Sequence, residues 1–150
     1  MKDLKFVNKS PNQNPSFTDL GSSGFDIRAW IEEELTTLKP LERKMIHTGL
    51  YFDIPKNCEI QVRPRSGMAI KKGLTVINTP GTVDESYTGE CCVLVINLSN
   101  EDVTIENGDR IAQAILCPVY NGREVLLSQV SNIDKATERG SGGFGHSGVK

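Results

Sequence analysis

Two segments, CCVLVINL (Cys91 to Leu98) and RIAQAILCPV (Arg110 to Val119), are almost unbroken runs of apolar or small residues. Neither alternates polar with apolar, so each reads as a strand with both faces covered, which a small sheet protein provides at only a few positions. Shorter β-type runs recur at Lys5 to Val7, Phe25 to Ala29, Lys44 to His47, Cys58 to Val62 and Leu74 to Ile77. Residues that tolerate turn geometry separate them, at Asn12 to Pro15, Asn57, Asn78 to Gly81, Asn107 to Gly108 and Asn121 to Gly122. Long helical periodicity is absent. The expected fold is all-β, a sandwich or barrel, and the doubly apolar strands predict an oligomer whose subunits share a central apolar seam.

At 150 residues the chain has the size of one domain and can bury a core without disulfides or structural metal. A net charge of -2 and the lack of a basic run argue against a nucleic-acid partner. An anionic ligand must instead meet a few local cations, and Arg65, Arg110 and Arg139 each lie beside glycine or other small residues. Cys58, Cys91, Cys92 and Cys117 show no CxxC spacing and read as free buried thiols in a reducing compartment. The start, MKDLKFVNKS, lacks a signal-type apolar region, and no stretch nears the roughly 18 apolar residues of a membrane span. A soluble intracellular protein without a membrane partner is expected.

The division expected is a β domain over residues 1–133 and an arm over residues 134–150. The arm has five glycines after Arg139 and too few large apolar residues to pack a core. Its RGSGGFGHSG stretch contains a literal GxGxxG, but a dinucleotide fingerprint needs a strand before it and a helix after it, and the sequence given stops within a few residues. A frayed terminus is one reading. The other is a glycine-rich arm that brings Arg139, Phe144 and Ser147 over a phosphorylated, ring-containing ligand.

Three further segments carry polar chemistry. PRSGMA (Pro64 to Ala69) reads either as a helix capped by Ser66 or as an anion pocket of Arg65, the Ser66 hydroxyl and free backbone amides. NTPGTVDESYTGE (Asn78 to Glu90) reads as a β-hairpin whose rim carries Asn78, Asp84 and Tyr87; Asp84 is either a turn former or a group that deprotonates water, with Tyr87 a flat face for a ring. GDRIAQAIL (Gly108 to Leu116) opens a buried strand, where Asp109 and Arg110 read first as a structural ion pair. Gln113, polar within an apolar run, must have a partner, a phosphate oxygen being one choice. Asp26, in GFDIRA, is either a turn residue or an outer-shell contact to a metal. His47 and His146 are not at zinc-ligand spacing, so a metal is expected to arrive as Mg²⁺ with a phosphate-bearing substrate.

Taken in order, GFDIRA, PRSGMA, NTPGTVDESYTGE, GDRIAQAIL and RGSGGFGHSG resemble the five motifs of the trimeric dUTPase family and span Gly24 to Gly148. The resemblance implies a distorted jelly-roll-like subunit, a homotrimer with active sites shared between chains, and Mg²⁺-assisted hydrolysis of dUTP to dUMP and pyrophosphate, which limits uracil in DNA and supplies dUMP for dTTP synthesis. It implies that Asp84 activates the water; that Arg65, Ser66, Gly67, Gln113, Arg139 and Ser147 hold the phosphates; and that Asn78, Gly81, Val83, Tyr87 and Phe144 bind the nucleoside, with Tyr87 excluding a 2′-hydroxyl. Asp26, Asp109 and Arg110 support the site. No residue ligates the metal directly, Mg²⁺ being held by phosphates and water with Asp26 as an outer-shell contact.

One departure is local. The family's arm usually has Ser-Thr after GGFG, and this chain has His146 and Ser147. Two other readings compete with dUTP hydrolysis: a dCTP deaminase, which shares the fold and which the Asp84 and Tyr87 pair disfavours, and a nucleotide-sensing protein without turnover.

Overall fold

The computed structural model describes residues 2–144 together with His146 and Gly148. Among the described residues eleven strands and one helix follow in the order β1 (Lys5–Asn8), β2 (Phe25–Arg28), β3 (Leu35–Leu38), β4 (Arg43–Ile46), β5 (Leu50–Asp53), β6 (Cys58–Pro64), α1 (Ser66–Lys72), β7 (Leu74–Val76), β8 (Gly81–Val83), β9 (Val93–Asn97), β10 (Val103–Glu106) and β11 (Arg110–Pro118). The strands pair antiparallel in four pieces ordered β2-β11-β6-β8, β4-β9-β7, β1-β5 and β10-β3. These open sheets form a jelly-roll-like sandwich and not a closed barrel.

Alternation fixes which faces meet. In β2, β6 and β9 every second side chain is buried, so Phe25, Ile27, Ile60, Val62, Val93 and Val95 point into one core that also takes Leu38, Leu74, Val76 and Ile105. Thr48 and Asn97 are the buried polar residues among those described. Fully buried at the end of β9, Asn97 donates to the carbonyls of Leu38 (3.0 Å) and Glu101 (2.7 Å) and accepts from the Ser99 amide (2.9 Å). Its amide thus satisfies loop groups that burial would otherwise leave unpaired. Gly73 ends α1 at φ 64°, and a Cβ there would lie 2.9 Å from the Ser99 Cβ, so only glycine both turns the chain and lets the loops touch.

Several sequence expectations need correction. Residues 78–90 are not a hairpin: β8 pairs with β6, through Gly81↔Val62 and Val83↔Ile60, whereas β7 pairs with β9. The segment therefore crosses between two sheets. Strands β3, β5, β8 and β10 lay outside the expected runs. Of the four free cysteines only Cys58 and Cys91 are buried, Cys92 and Cys117 being partly open. The outer face of β9 is uncovered in the single chain, where Leu94 stands opposite the exposed Met45 of β4 and beside the exposed Ile77. The last strand ends at Pro118, and no helix among the described residues is long and apolar enough to cross a membrane.

Candidate active site

Strands β2, β11 and β6 lie side by side, with Gln113 opposite Asp26 on one flank and Arg63 on the other. The chain leaves β6 at Pro64 and turns into α1 at Arg65, which brings the Arg65 guanidinium back over this sheet. Its Nε donates to Asp26 Oδ1 at 2.7 Å and its Nη1 to the Arg110 carbonyl at 3.2 Å. The register shifts by one residue between Arg110 and Ala112, a bulge of the kind that re-aims a side chain, and Arg110 Nη1 reaches Asp26 Oδ2 at 3.1 Å. One carboxylate thus clamps two guanidinium groups, with net positive charge left over for an anion. Gln113 Nε2 donates to the Pro64 carbonyl at 2.9 Å, so its partner is backbone, and that bond holds the side chain beside Arg65.

Ser66 is not a cap. Arg65 occupies the cap position without a side-chain capping bond, and Ser66 and Gly67 begin the helix, both exposed. Asp109 is not paired with Arg110 either: its Oδ2 accepts from the Glu106 amide at 3.1 Å and its carbonyl from the Ala29 amide at 2.8 Å. Neighbouring residues at a strand start face opposite ways, which separates the two side chains. Asp109 therefore supports the cluster only through the β10–β11 turn.

The second group of expected residues lies elsewhere. Gly81 is buried against β6, where a Cβ would stand 3.2 Å from Asn78 Nδ2, so the close approach of Asn78 depends on the glycine. Val83 is half-buried against Ile60, and Asp84 follows at the strand end, exposed and without a side-chain hydrogen bond among the described residues. Asp84 borders a hollow with Cys58, Glu85, Asn121 and Arg123. Glu85 is tied down by Arg123 Nη1 at 2.7 Å and the Asn57 amide at 3.0 Å; these bonds, the arginine first, hold its carboxyl below the ordinary carboxylate range. Tyr87 turns back to donate its hydroxyl to the Glu90 carbonyl at 3.0 Å, and a Cβ on Gly89 would meet that hydroxyl at 2.5 Å. Gly89 and Glu85 were not expected from the sequence, since only their partners in the fold give them a role.

The separation between these groups is decisive. Val83 faces Ile60, which puts Asp84 near Glu59, whereas Arg65 lies just past the other end of β6. Six residues of strand span roughly 20 Å between the Asp84 and Arg65 backbones, and no side-chain hydrogen bond joins Asp84 to Arg65 or Gln113 among the described residues.

The arm residues stay apart as well. Arg139 Nε donates to the Gly142 carbonyl at 2.8 Å in a local turn, and Phe144 is fully exposed. Ser147 lies outside the described residues. His47, which has no cysteine or carboxylate at zinc-ligand spacing in the sequence, has one of each beside it in the fold: Glu90 Oε2 lies 2.8 Å and Cys92 Sγ 3.7 Å from its Nδ1. Burial pushes the Cys92 thiol up to about 11, with the Glu90 charge adding to it. Burial also works to raise Glu90, but the His47 bond and the amides of Gly49 and Thr48 outweigh it and hold that carboxyl low.

A family model described as dUTPase matches residues 12–148. A deoxyuridine 5′-triphosphate nucleotidohydrolase of Finegoldia magna is 50% identical over 145 residues, 97% of this chain and 98% of the relative. A protein of the same name from Treponema denticola is 53% identical over 135 residues, 90% of each chain. Among solved structures, the dUTPase of Staphylococcus bacteriophage 80alpha with dUPNHPP superposes with a TM-score of 0.86 at 26% identity, covering 99% of this chain and 100% of that one. The two clusters, the sandwich that holds them and these matches agree: the chain belongs to the dUTPase family.

Proposed function

We propose that this chain is a dUTP diphosphatase whose active sites are each assembled from more than one chain of a homotrimer. The observation that carries the shared site is the roughly 20 Å of β6 between Asp84 and Arg65. A water directed by Asp84 must reach the α-phosphorus of a nucleotide whose phosphates are held by Arg65, so the two residues come from different copies. The uncovered apolar face at Met45, Ile77 and Leu94 supplies a surface on which copies can pack. A monomeric mass by light scattering would contradict this.

In the proposed reaction the Asp84 carboxylate takes a proton from water as the oxygen attacks the α-phosphorus, and the bond to the bridging oxygen breaks to release pyrophosphate. Arg65, Ser66, Gly67 and Gln113 hold the triphosphate, and the positive cluster counters the charge that gathers on the leaving group. Asn78, Gly81 and Val83 read the nucleoside, and the Tyr87 ring packs on the deoxyribose where a 2′-hydroxyl would collide. Residues 134–150 close as an arm, Phe144 stacking on the base while Arg139 and Ser147 approach the phosphates and exclude bulk water. Asp26, Asp109 and Arg110 position Arg65 and the β11 turn.

Both oxygens of Asp26 are occupied by guanidinium donors, so it fits Mg²⁺ only from the outer shell. Such a donor set suits an ion held by phosphate oxygens and its own waters, which would neutralise triphosphate charge. The reading is tested by pyrophosphate release from dUTP, dCTP, dTTP and UTP. Release from dUTP alone, reduced roughly 10²- to 10⁴-fold in Asp84→Asn, is expected for loss of a general base. Ammonia from dCTP, or tight dUTP binding without turnover, would overturn it in favour of a deaminase or a sensing protein.

A further inference from the structure

His47, Glu90 and Cys92 lie 43 or more residues apart except for the last two, and the β4–β9 register brings them together. That register pairs Ile46 with Val93, and one step further His47 stands opposite Cys92. Glu90 is fixed from behind: its Oε1 accepts the amides of Thr48 (2.9 Å) and Gly49 (2.8 Å), which turns Oε2 toward His47 Nδ1 at 2.8 Å. Cys92 Sγ lies 3.7 Å from the same nitrogen, and one ligand atom from each residue falls within 4.8 Å of the others. The frame is rigid. The His47 carbonyl accepts from the Trp30 amide at 2.8 Å, Thr48 Oγ1 donates to the Cys91 carbonyl at 2.6 Å, and Gly49 holds φ 70° against Ser10.

We infer that His47 Nδ1, Glu90 Oε2 and Cys92 Sγ form a binding site for a zinc-class divalent metal, with water in the fourth position. Tetrahedral zinc with bonds of about 2.0 to 2.3 Å sets ligand atoms about 3.3 to 3.6 Å apart. The nitrogen–sulfur spacing is already close to that, and the nitrogen–oxygen pair has to widen by about half an ångström, as it does when an ion replaces a bridging proton. In the single chain the His47 side chain is 55% exposed, which leaves the ring room to shift. The amides behind Glu90 orient the ligand as outer-shell partners do. Thiolate and imidazole prefer zinc to Mg²⁺, so this site does not take the ion carried by the substrate. Binding releases the Cys92 thiol proton to solvent, and His47 ligates through Nδ1 as the neutral tautomer that carries its hydrogen on Nε2. Because Tyr87 donates to the Glu90 carbonyl, the ion would brace the segment that carries Tyr87.

The test titrates the chelator-treated full chain with Co²⁺ alone, following the ligand-field bands and the thiolate-to-cobalt charge-transfer band, and then adds Zn²⁺. One Co²⁺ per chain, a charge-transfer band bleached by Zn²⁺, and binding at least about tenfold weaker in both Cys92→Ser and His47→Gln are expected. Circular dichroism of each variant verifies that it is folded. Absence of the charge-transfer band in the parent chain, or its survival undiminished in Cys92→Ser, would overturn the assignment.

Discussion

Replacing Asp26 with asparagine keeps the shape of the side chain and removes the charge that clamps Arg65 and Arg110. An exposed ion pair contributes about 0.2–1 kcal/mol, and breaking a buried one costs about 3–5 kcal/mol. The Asp26 and Arg65 side chains are 25% and 26% exposed, nearer the buried limit, whereas Arg110 is 50% exposed and nearer the screened one. Asparagine still offers one oxygen to Arg65 Nε, but it turns an amide N–H toward the Arg110 guanidinium. The expected loss is therefore about 2 kcal/mol, or roughly thirtyfold in the folding equilibrium, between those limits. Urea unfolding at one fixed protein concentration measures it as a lower midpoint at unchanged slope. In kinetics, a loosened Arg65 lowers kcat for dUTP roughly 10- to 100-fold. KM changes less, because the variant also removes a negative charge near the triphosphate. Stability within about 0.5 kcal/mol of the parent together with unchanged kcat would refute the role given to Asp26.

Other substitutions probe the nucleoside side. Gly89→Ala puts a Cβ where the Tyr87 hydroxyl lies, so the ring swings away and the preference for dUTP over UTP falls roughly tenfold in competing turnover measurements. Phe144→Ala removes base stacking worth about 1–3 kcal/mol and raises KM for dUTP about tenfold or more, with the unfolding midpoint unchanged because the ring is exposed. Glu85→Gln lowers stability at neutral pH: the folded carboxyl titrates below its ordinary 4.5, so its contribution is present above that value and is lost as pH falls through the lowered one. The stability difference between parent and variant should accordingly shrink in acid unfolding series below about pH 4.5.

What the sequence disclosed was whatever local pattern controls. Strands β1, β2, β4, β6, β7, β9 and β11 fall on the expected β-type runs, and the alternate burial in β2, β6, β7 and β9 follows from their own composition. Strands β3 and β10 escaped notice because they are short and pair with each other, their exposed positions being Leu35, Thr37, Thr104 and Glu106. The hairpin expected at residues 78–90 failed for the opposite reason: turn residues were read correctly, but β8 finds its partner in β6, twenty residues upstream, and local pattern does not encode that choice. Adjacency misled for Asp109 and Arg110, whose side chains diverge, while Asp26 meets Arg110 across 84 residues. His47 shows the same limit, since its two neighbours arrive only through the β4–β9 register and the Glu90 turn.

Mixing two inactive variants tests the shared site most directly. Asp84→Asn and Arg65→Gln chains are each unfolded, combined in equal amounts and refolded together, and pyrophosphate release from dUTP is compared with that of each variant refolded alone. If Asp84 and Arg65 of one site come from different chains, random assembly leaves about a quarter of sites with both residues intact, and activity returns to about that fraction of the parent. If both residues act within a single chain, no mixed assembly contains an intact site, and the mixture stays as inactive as its components.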